Sequence, residues 1–197
     1  MPRLLTFARL AALPLVLAAC QTAPQSDDVP VAVDTATTAA AAPAQVDSSS
    51  AVLAALAESG VTGRVTFRRL GGATEVRYAV DGLTPGEHGF HIHENADCGA
   101  DSTGGPGTAA GGHFNPLVSP HGAPASAATG RHAGDFGNIV ANAQGRAEGI
   151  LIDSVLAFDG PTALAGHAVI VHAGRDDLET QPSGDSGDRV ACGITAS

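Results

Sequence analysis

The strongest constraint on the fold is a succession of short segments in which polar and apolar residues alternate, punctuated by glycine and proline. Arg64-Val65-Thr66-Phe67-Arg68 alternates with period two, as a half-buried strand does. Gly71-Gly72 supplies a hairpin turn, and Glu75-Val76-Arg77-Tyr78-Ala79-Val80 alternates again. Thr84-Pro85-Gly86 is another turn, followed by Gly89-Phe90-His91-Ile92-His93. Later strands are expected near 137–141, 146–153, 167–172 and 189–195, and a first one near 51–56, which makes eight. Residues 51–58 could also form a helical turn on propensity, but the hairpin spacing after them favours strand. With 25 Gly and 12 Pro in 197 residues, the chain is rich in turns and suits an all-β fold. Aromatic residues are 4% and Trp is absent, so the core must rest on Val, Ile, Leu and Ala. Two stretches, 95–134 and 173–188, lack a strand pattern. Structureless loops of that length in a compact domain are usually functional, and both abut histidines.

The three cysteines are Cys20, Cys98 and Cys192, an odd number that needs explaining in an exported protein. Arg3 and Arg9 give a positive N-terminal region, and residues 10–19 form an apolar run too short to span a bilayer. The run ends Leu17-Ala18-Ala19-Cys20, which resembles the lipobox of bacterial lipoproteins. That resemblance implies a signal peptide at 1–19 and a lipid on Cys20, which becomes the mature N-terminus and the membrane anchor. Gln21 follows the cysteine; by the enterobacterial sorting rule a residue other than Asp points to the outer membrane, on its periplasmic side. Residues 20–50 are rich in Ala, Thr, Ser, Pro and Asp without periodicity and read as a disordered tether of roughly 30 Å reach. The folded domain is expected at 51–197. With Cys20 claimed by the signal region, Cys98 and Cys192 remain.

The formal charge is −10, and all ten basic residues are Arg. This balance excludes a nucleic-acid partner, which requires basic patches. Without Arg3 and Arg9, eight Arg face twenty acidic residues, a formal −12.

Six of the eight histidines form an arrangement with metal-ligand character. His91 and His93, two apart in a strand pattern, lie on one face and can reach one metal from a rigid platform. An isolated His-x-His is weak, because such residues are often satisfied core histidines. The loop group is stronger. His113, His121, His132 and Asp135 lie within 23 residues, and three nitrogens with one carboxylate make the closed set of a structural zinc site. His172 ends the apolar run Ala168-Val169-Ile170-Val171.

Together these segments resemble the copper/zinc superoxide dismutase family. The matching stretches are Gly89-Phe90-His91-Ile92-His93-Glu94, Gly112-His113-Phe114-Asn115-Pro116, His121-Gly122, Arg131-His132-Ala133-Gly134-Asp135-Phe136-Gly137-Asn138, Val171-His172 with Asp176-Asp177-Leu178, and Gly187-Asp188-Arg189-Val190-Ala191-Cys192-Gly193. The resemblance implies a flattened eight-stranded Greek-key β-barrel. It implies copper at His91, His93, His113 and His172, and zinc at His113, His121, His132 and Asp135, with His113 bridging the two. Asp176 would link His91 to His121 from outside the metal shell, Cys98 and Cys192 would form a disulfide, and Arg189 would stand beside the copper. The insertion between Cys98 and His113 and the short, lysine-free loop before Arg189 look like the bacterial branch. Neither an oligomeric state nor substrate-guiding lysines carry over with them.

The implied reaction is disproportionation of the superoxide anion to dioxygen and hydrogen peroxide, with His113 passing a proton and Arg189 attracting the anion. With no Lys in the chain, Arg189 is expected to carry most of the positive focus, and Arg175 is the other basic residue of the adjacent loop. His88 reads as structural and His167 as a surface or packing residue. The rival readings are a non-catalytic periplasmic copper/zinc-binding lipoprotein and a copper-chaperone-like domain.

Overall fold

The computed structural model describes residues 47–196. The segment read as a signal peptide, Cys20 and the tether up to residue 46 lie outside them. The strands are β1 (Ser48–Ala55), β2 (Thr62–Leu70), β3 (Ala73–Asp81), β4 (Gly86–His93), β5 (Asp135–Ala141), β6 (Ala147–Asp153), β7 (Ala168–His172) and β8 (Arg189–Ile194). They form one antiparallel sheet in the order β5-β4-β7-β8-β1-β2-β3-β6, whose end strands β5 and β6 also meet, nearly closing a barrel. β3 and β4 are consecutive in the chain yet distant in this order, as are β6 and β7; these two crossings give the Greek-key topology.

The alternation of each strand places Val65, Phe67, Val76, Phe90, Ile92 and Val169 in a single core. β4 and β7 are buried on their outer faces too, because the long loops 94–134 and 173–188 roof them. A small second core of Leu56, Ala110, Ala168, Ile170 and Cys192 forms under the first of these loops.

Three local features differ from the sequence expectation. β1 begins at Ser48 and ends at Ala55; residues 48–50, read as the end of the tether, pair with Arg68, Phe67 and Thr66. Three serines carry no apolar signal, and the ladder extends on backbone hydrogen bonds, helped by Ser49 Oγ donating to the Ala196 carbonyl at 2.8 Å. β5 begins at Asp135, two residues earlier than the alternation indicates, so Asp135 stands on a strand rather than on the loop. The first loop contains a 3-10 turn, Thr108–Ala110, for which the sequence carries no apolar period.

Candidate metal centre

Phe90 and Ile92 enter the barrel core, so His91 and His93 point to the opposite, roofed face of β4. β7 pairs with β4, Phe90 opposite Val171, and brings His172 alongside. The loop after β4 folds back, and His113 makes an isolated antiparallel bridge with His93. His121 and His132 follow in the same loop, Asp135 opens β5, and all seven side chains are buried. Their donor atoms fall into two groups, His91, His93, His113 and His172, and His113, His121, His132 and Asp135; within each group the atoms lie within 4.8 Å of one another. His113 belongs to both.

The hydrogen-bond network assigns the ring tautomers. His93 Nδ1 donates to the Gly111 carbonyl and His172 Nδ1 to the Gly187 carbonyl, both at 3.0 Å. A carbonyl only accepts, so each Nε2 keeps a lone pair, and these two Nε2 atoms face each other at 3.4 Å. Asp176 accepts from His91 Nε2 at 2.8 Å and from His121 Nε2 at 2.9 Å, which leaves Nδ1 of the neutral His91 ring unprotonated. His91 Nδ1, His113 Nε2 and His121 Nδ1 are buried without a hydrogen-bond partner among the described residues. A buried polar atom left unsatisfied costs roughly 1–3 kcal/mol, and facing lone pairs repel. A cation relieves both penalties, and four imidazoles suit Cu(II).

In the second group, Asp135 Oδ2 accepts from the backbone N–H of His132 at 2.8 Å and of Gly122 at 3.1 Å. Oδ1 remains, surrounded by Nδ1 of His113, His121 and His132 at 2.7, 3.1 and 3.1 Å. Ligands 2.0–2.1 Å from a tetrahedral ion stand about 3.3 Å apart, so a slight expansion of this cluster admits zinc. Asp176 is itself braced: its N–H donates to Asn138 Oδ1 and its Oδ1 accepts from Leu178 N–H. Gly184 closes over it. A Cβ there would overlap Asp176 Oδ1 and stand 2.6 Å from His121 Nε2, and φ is +69°, so glycine alone fits.

Burial pushes His91 below the ordinary histidine range and His93 and His172 well below it. His113 falls to about 4, through burial first and then the charge of His91. These rings are therefore neutral and ready to ligate. For His121, burial also pulls downward, but hydrogen bonds to Asp135 and Asp176 outweigh it and hold the ring at about 9. Burial would raise Asp135 and Asp176; the surrounding imidazoles outweigh it and keep both far below the usual carboxylate range.

The first group opens onto a cleft of about 420 Å³ lined on one side by Arg189. The Arg189 guanidinium donates to the carbonyls of Gly107 at 2.5 Å and Gly111 at 2.6 Å. Partial burial lowers its pKa, yet a guanidinium stays charged at any ordinary pH. Among the described residues, six of the eight arginines have a carboxylate within 4.0 Å, and Arg64 and Arg189 do not. Arg175 pairs with Glu87 at 2.9 Å, away from the cleft.

Two supporting residues acquire definite partners. His88, read as structural, places Nδ1 2.8 Å from the His172 carbonyl and Nε2 2.8 Å from that of Thr84, which fixes the end of β7. Arg131, to which the sequence assigns no role, is fully buried. Its Nη2 meets Asp153 Oδ2 at 2.6 Å, and its Nη1 donates to the carbonyls of His132 and Asp135. It thus ties the zinc-side ligands to β6. An arginine preceding a loop histidine reads like any surface charge, so no local signal marks it. His167 stacks on Phe114 with ring centroids 3.9 Å apart, a packing role.

Cys98 and Cys192 are joined, 94 positions apart in sequence and with Cα atoms 5.8 Å apart. The bond ties the first loop to β8 within the second core. Removing such a cross-link costs roughly 2–5 kcal/mol. The Cys192→Ser variant is therefore expected to melt about 5–15 °C lower than the wild type, by calorimetry on metal-depleted samples. An unchanged midpoint would show that the bond does not constrain the unfolded chain.

Comparison with known proteins agrees with this geometry. Residues 61–195 match the family model for copper/zinc superoxide dismutase. Superoxide dismutase [Cu-Zn] 2 of Mesembryanthemum crystallinum is 46% identical over 131 residues, covering 62% of this chain and 78% of the relative. Superoxide dismutase [Cu-Zn] of Candida glabrata is 43% identical over 145 residues, covering 69% of this chain and 90% of the relative. Among solved structures, the crystal structure of the clock protein EA4 superposes with a TM-score of 0.67 at 35% identity, over 77% of this chain and 94% of that one. The chain belongs to the copper/zinc superoxide dismutase family.

Proposed function

We propose that this superoxide dismutase acts outside the cytoplasm, held to a bacterial membrane by lipid on Cys20, and that the two side-chain groups take the roles their donors fit. His91, His93, His113 and His172 hold copper, and His113, His121, His132 and Asp135 hold zinc. Bound copper supplies the one-electron couple that oxidises one superoxide to dioxygen and reduces a second to hydrogen peroxide, while zinc supplies charge without redox.

The observation that carries this reading is His113, whose two ring nitrogens face the two groups. With Nδ1 committed to the zinc side, Nε2 is the atom that can hold one proton between the half-reactions and deliver it to the reduced substrate, with water supplying the second proton that hydrogen peroxide requires. His93 and His172 are locked in one tautomer by backbone carbonyls, and Asp176 orients His91 and His121 from outside the metal shell. Arg189 offers the anion a fixed charge and N–H donors. Focusing of an anion by a charged cleft is established for copper/zinc superoxide dismutases.

Arg189→Glu is expected to lower the second-order rate at least about tenfold with copper content unchanged. Arg175→Glu, whose wild-type charge is already paired with Glu87, is expected to change the rate less than about twofold. Stopped-flow decay of superoxide measures both, and equal effects would remove Arg189 from the substrate path.

Export rests on the Leu17-Ala18-Ala19-Cys20 sequence and Gln21, and a disulfide fits an oxidising compartment. The anchor is tested by metabolic labelling with palmitate. Label is expected in the membrane-bound protein and absent from Cys20→Ser; a wild type without label contradicts it.

A further inference from the structure

The cleft above the proposed copper ligands is lined by two charged side chains besides the histidines, Arg189 and Asp101. A negative group at the mouth of a site for an anion is contrary to simple attraction, and Asp101 is held there. Its Oδ1 accepts from the backbone N–H of Thr103 at 2.8 Å and from Thr103 Oγ1, and its own N–H donates to Thr108 Oγ1 at 2.9 Å. These bonds keep the carboxylate ionised, below its ordinary pKa. Thr108 stands beside Gly107, whose carbonyl accepts from Arg189, so the turn carrying Asp101 hangs on the guanidinium. The two charges form no ion pair within 4.0 Å among the described residues, yet they feel each other across the cleft. Arg189 instead gives two of its five N–H donors to the carbonyls of Gly107 and Gly111 and keeps the others free for an anion. The same cleft therefore presents a fixed positive and a fixed negative charge that are not paired with each other.

We propose that Asp101 is a specificity-determining residue that screens the copper cleft against divalent anions such as sulfate and phosphate while admitting the monovalent superoxide. The physical reason is charge number. Arg189 draws any anion inward, and Asp101 opposes entry with an energy proportional to the charge of the incoming ion. A monoanion loses a modest factor, a dianion its square. The proposal rests on the reading that superoxide reaches copper through this cleft.

The test uses the full chain loaded with copper and zinc, comparing wild type, Asp101→Asn and Asp101→Lys at fixed ionic strength. Asparagine retains an acceptor for Thr103, so the turn is preserved. Azide, a monovalent probe, is titrated by the visible absorption of the copper, and sulfate is titrated as a competitor of azide. One unit charge across a solvated cleft is worth a factor of about 2–3. Asp101→Asn is therefore expected to tighten azide about 2–3-fold and sulfate about 4–9-fold, and Asp101→Lys to go further in the same order. Superoxide turnover should rise by the azide factor, and all these gains should shrink toward one in 0.5 M salt. Equal shifts for azide and sulfate, no shift, or shifts that persist at high salt would each overturn the proposal. Loss of azide binding and turnover in the wild type would instead overturn the reading on which it rests.

Discussion

Replacing His113 with alanine is expected to lower zinc occupancy, copper occupancy and dismutation together, with turnover falling by at least about 100-fold. The cause is the double membership of this one side chain. Its Nδ1 lies 2.7 Å from Asp135 Oδ1 in the zinc-side cluster, while its Nε2 is buried without a partner on the copper side. His121→Ala separates the two effects. His121 belongs to the zinc-side group alone and shares Asp176 with His91. That variant should lose zinc while keeping some copper-dependent turnover. Metal analysis and stopped-flow kinetics on the same samples read both outcomes; a His113→Ala protein with normal zinc would end the bridging role.

The second large effect concerns stability. Arg131→Met should lower the thermal midpoint by about 10–15 °C, through a loss of roughly 3–5 kcal/mol. Arg131 is fully buried and its partner Asp153 nearly so. Asp153 also caps the turn after β6, accepting from Val155 N–H at 2.8 Å and Leu156 N–H at 2.6 Å. Removing the cation strands a buried carboxylate, and breaking one side of a buried pair costs far more than replacing both. Arg131→Met with Asp153→Asn should therefore recover part of the loss. Since Arg131 also holds the carbonyls of His132 and Asp135, the single variant should release zinc more readily. Calorimetry of the two variants decides the matter, and a single variant as stable as the double one would count against the pair.

Much of this protein could be read before its fold was known, for physical reasons specific to each feature. Alternation in 64–68 and 75–80 is legible because each of these strands has one wet and one dry face. The histidines of the two clusters stand out because few other roles call for that residue type at those spacings. Serines 48–50 were hidden because main-chain pairing has no side-chain signature. Asp135 looked like a loop residue because a ligand at the first position of a strand lies outside the apolar alternation. Arg131 was hidden because composition cannot separate a buried guanidinium from a solvated one. Gly184 and Asp101 matter only through residues distant in sequence, His121 in one case and Arg189 in the other, and that proximity is created by the fold.

In the enzyme proposed above, copper held by His91, His93, His113 and His172 turns over superoxide while zinc organises the shared histidine. The most direct test is a copper titration of the zinc-loaded, copper-free protein, followed by superoxide decay at each addition. Activity should rise linearly and break at one copper per chain, with no rise when zinc is added in place of copper. Copper bound to the same stoichiometry without turnover would contradict that proposal and make the protein a metal store.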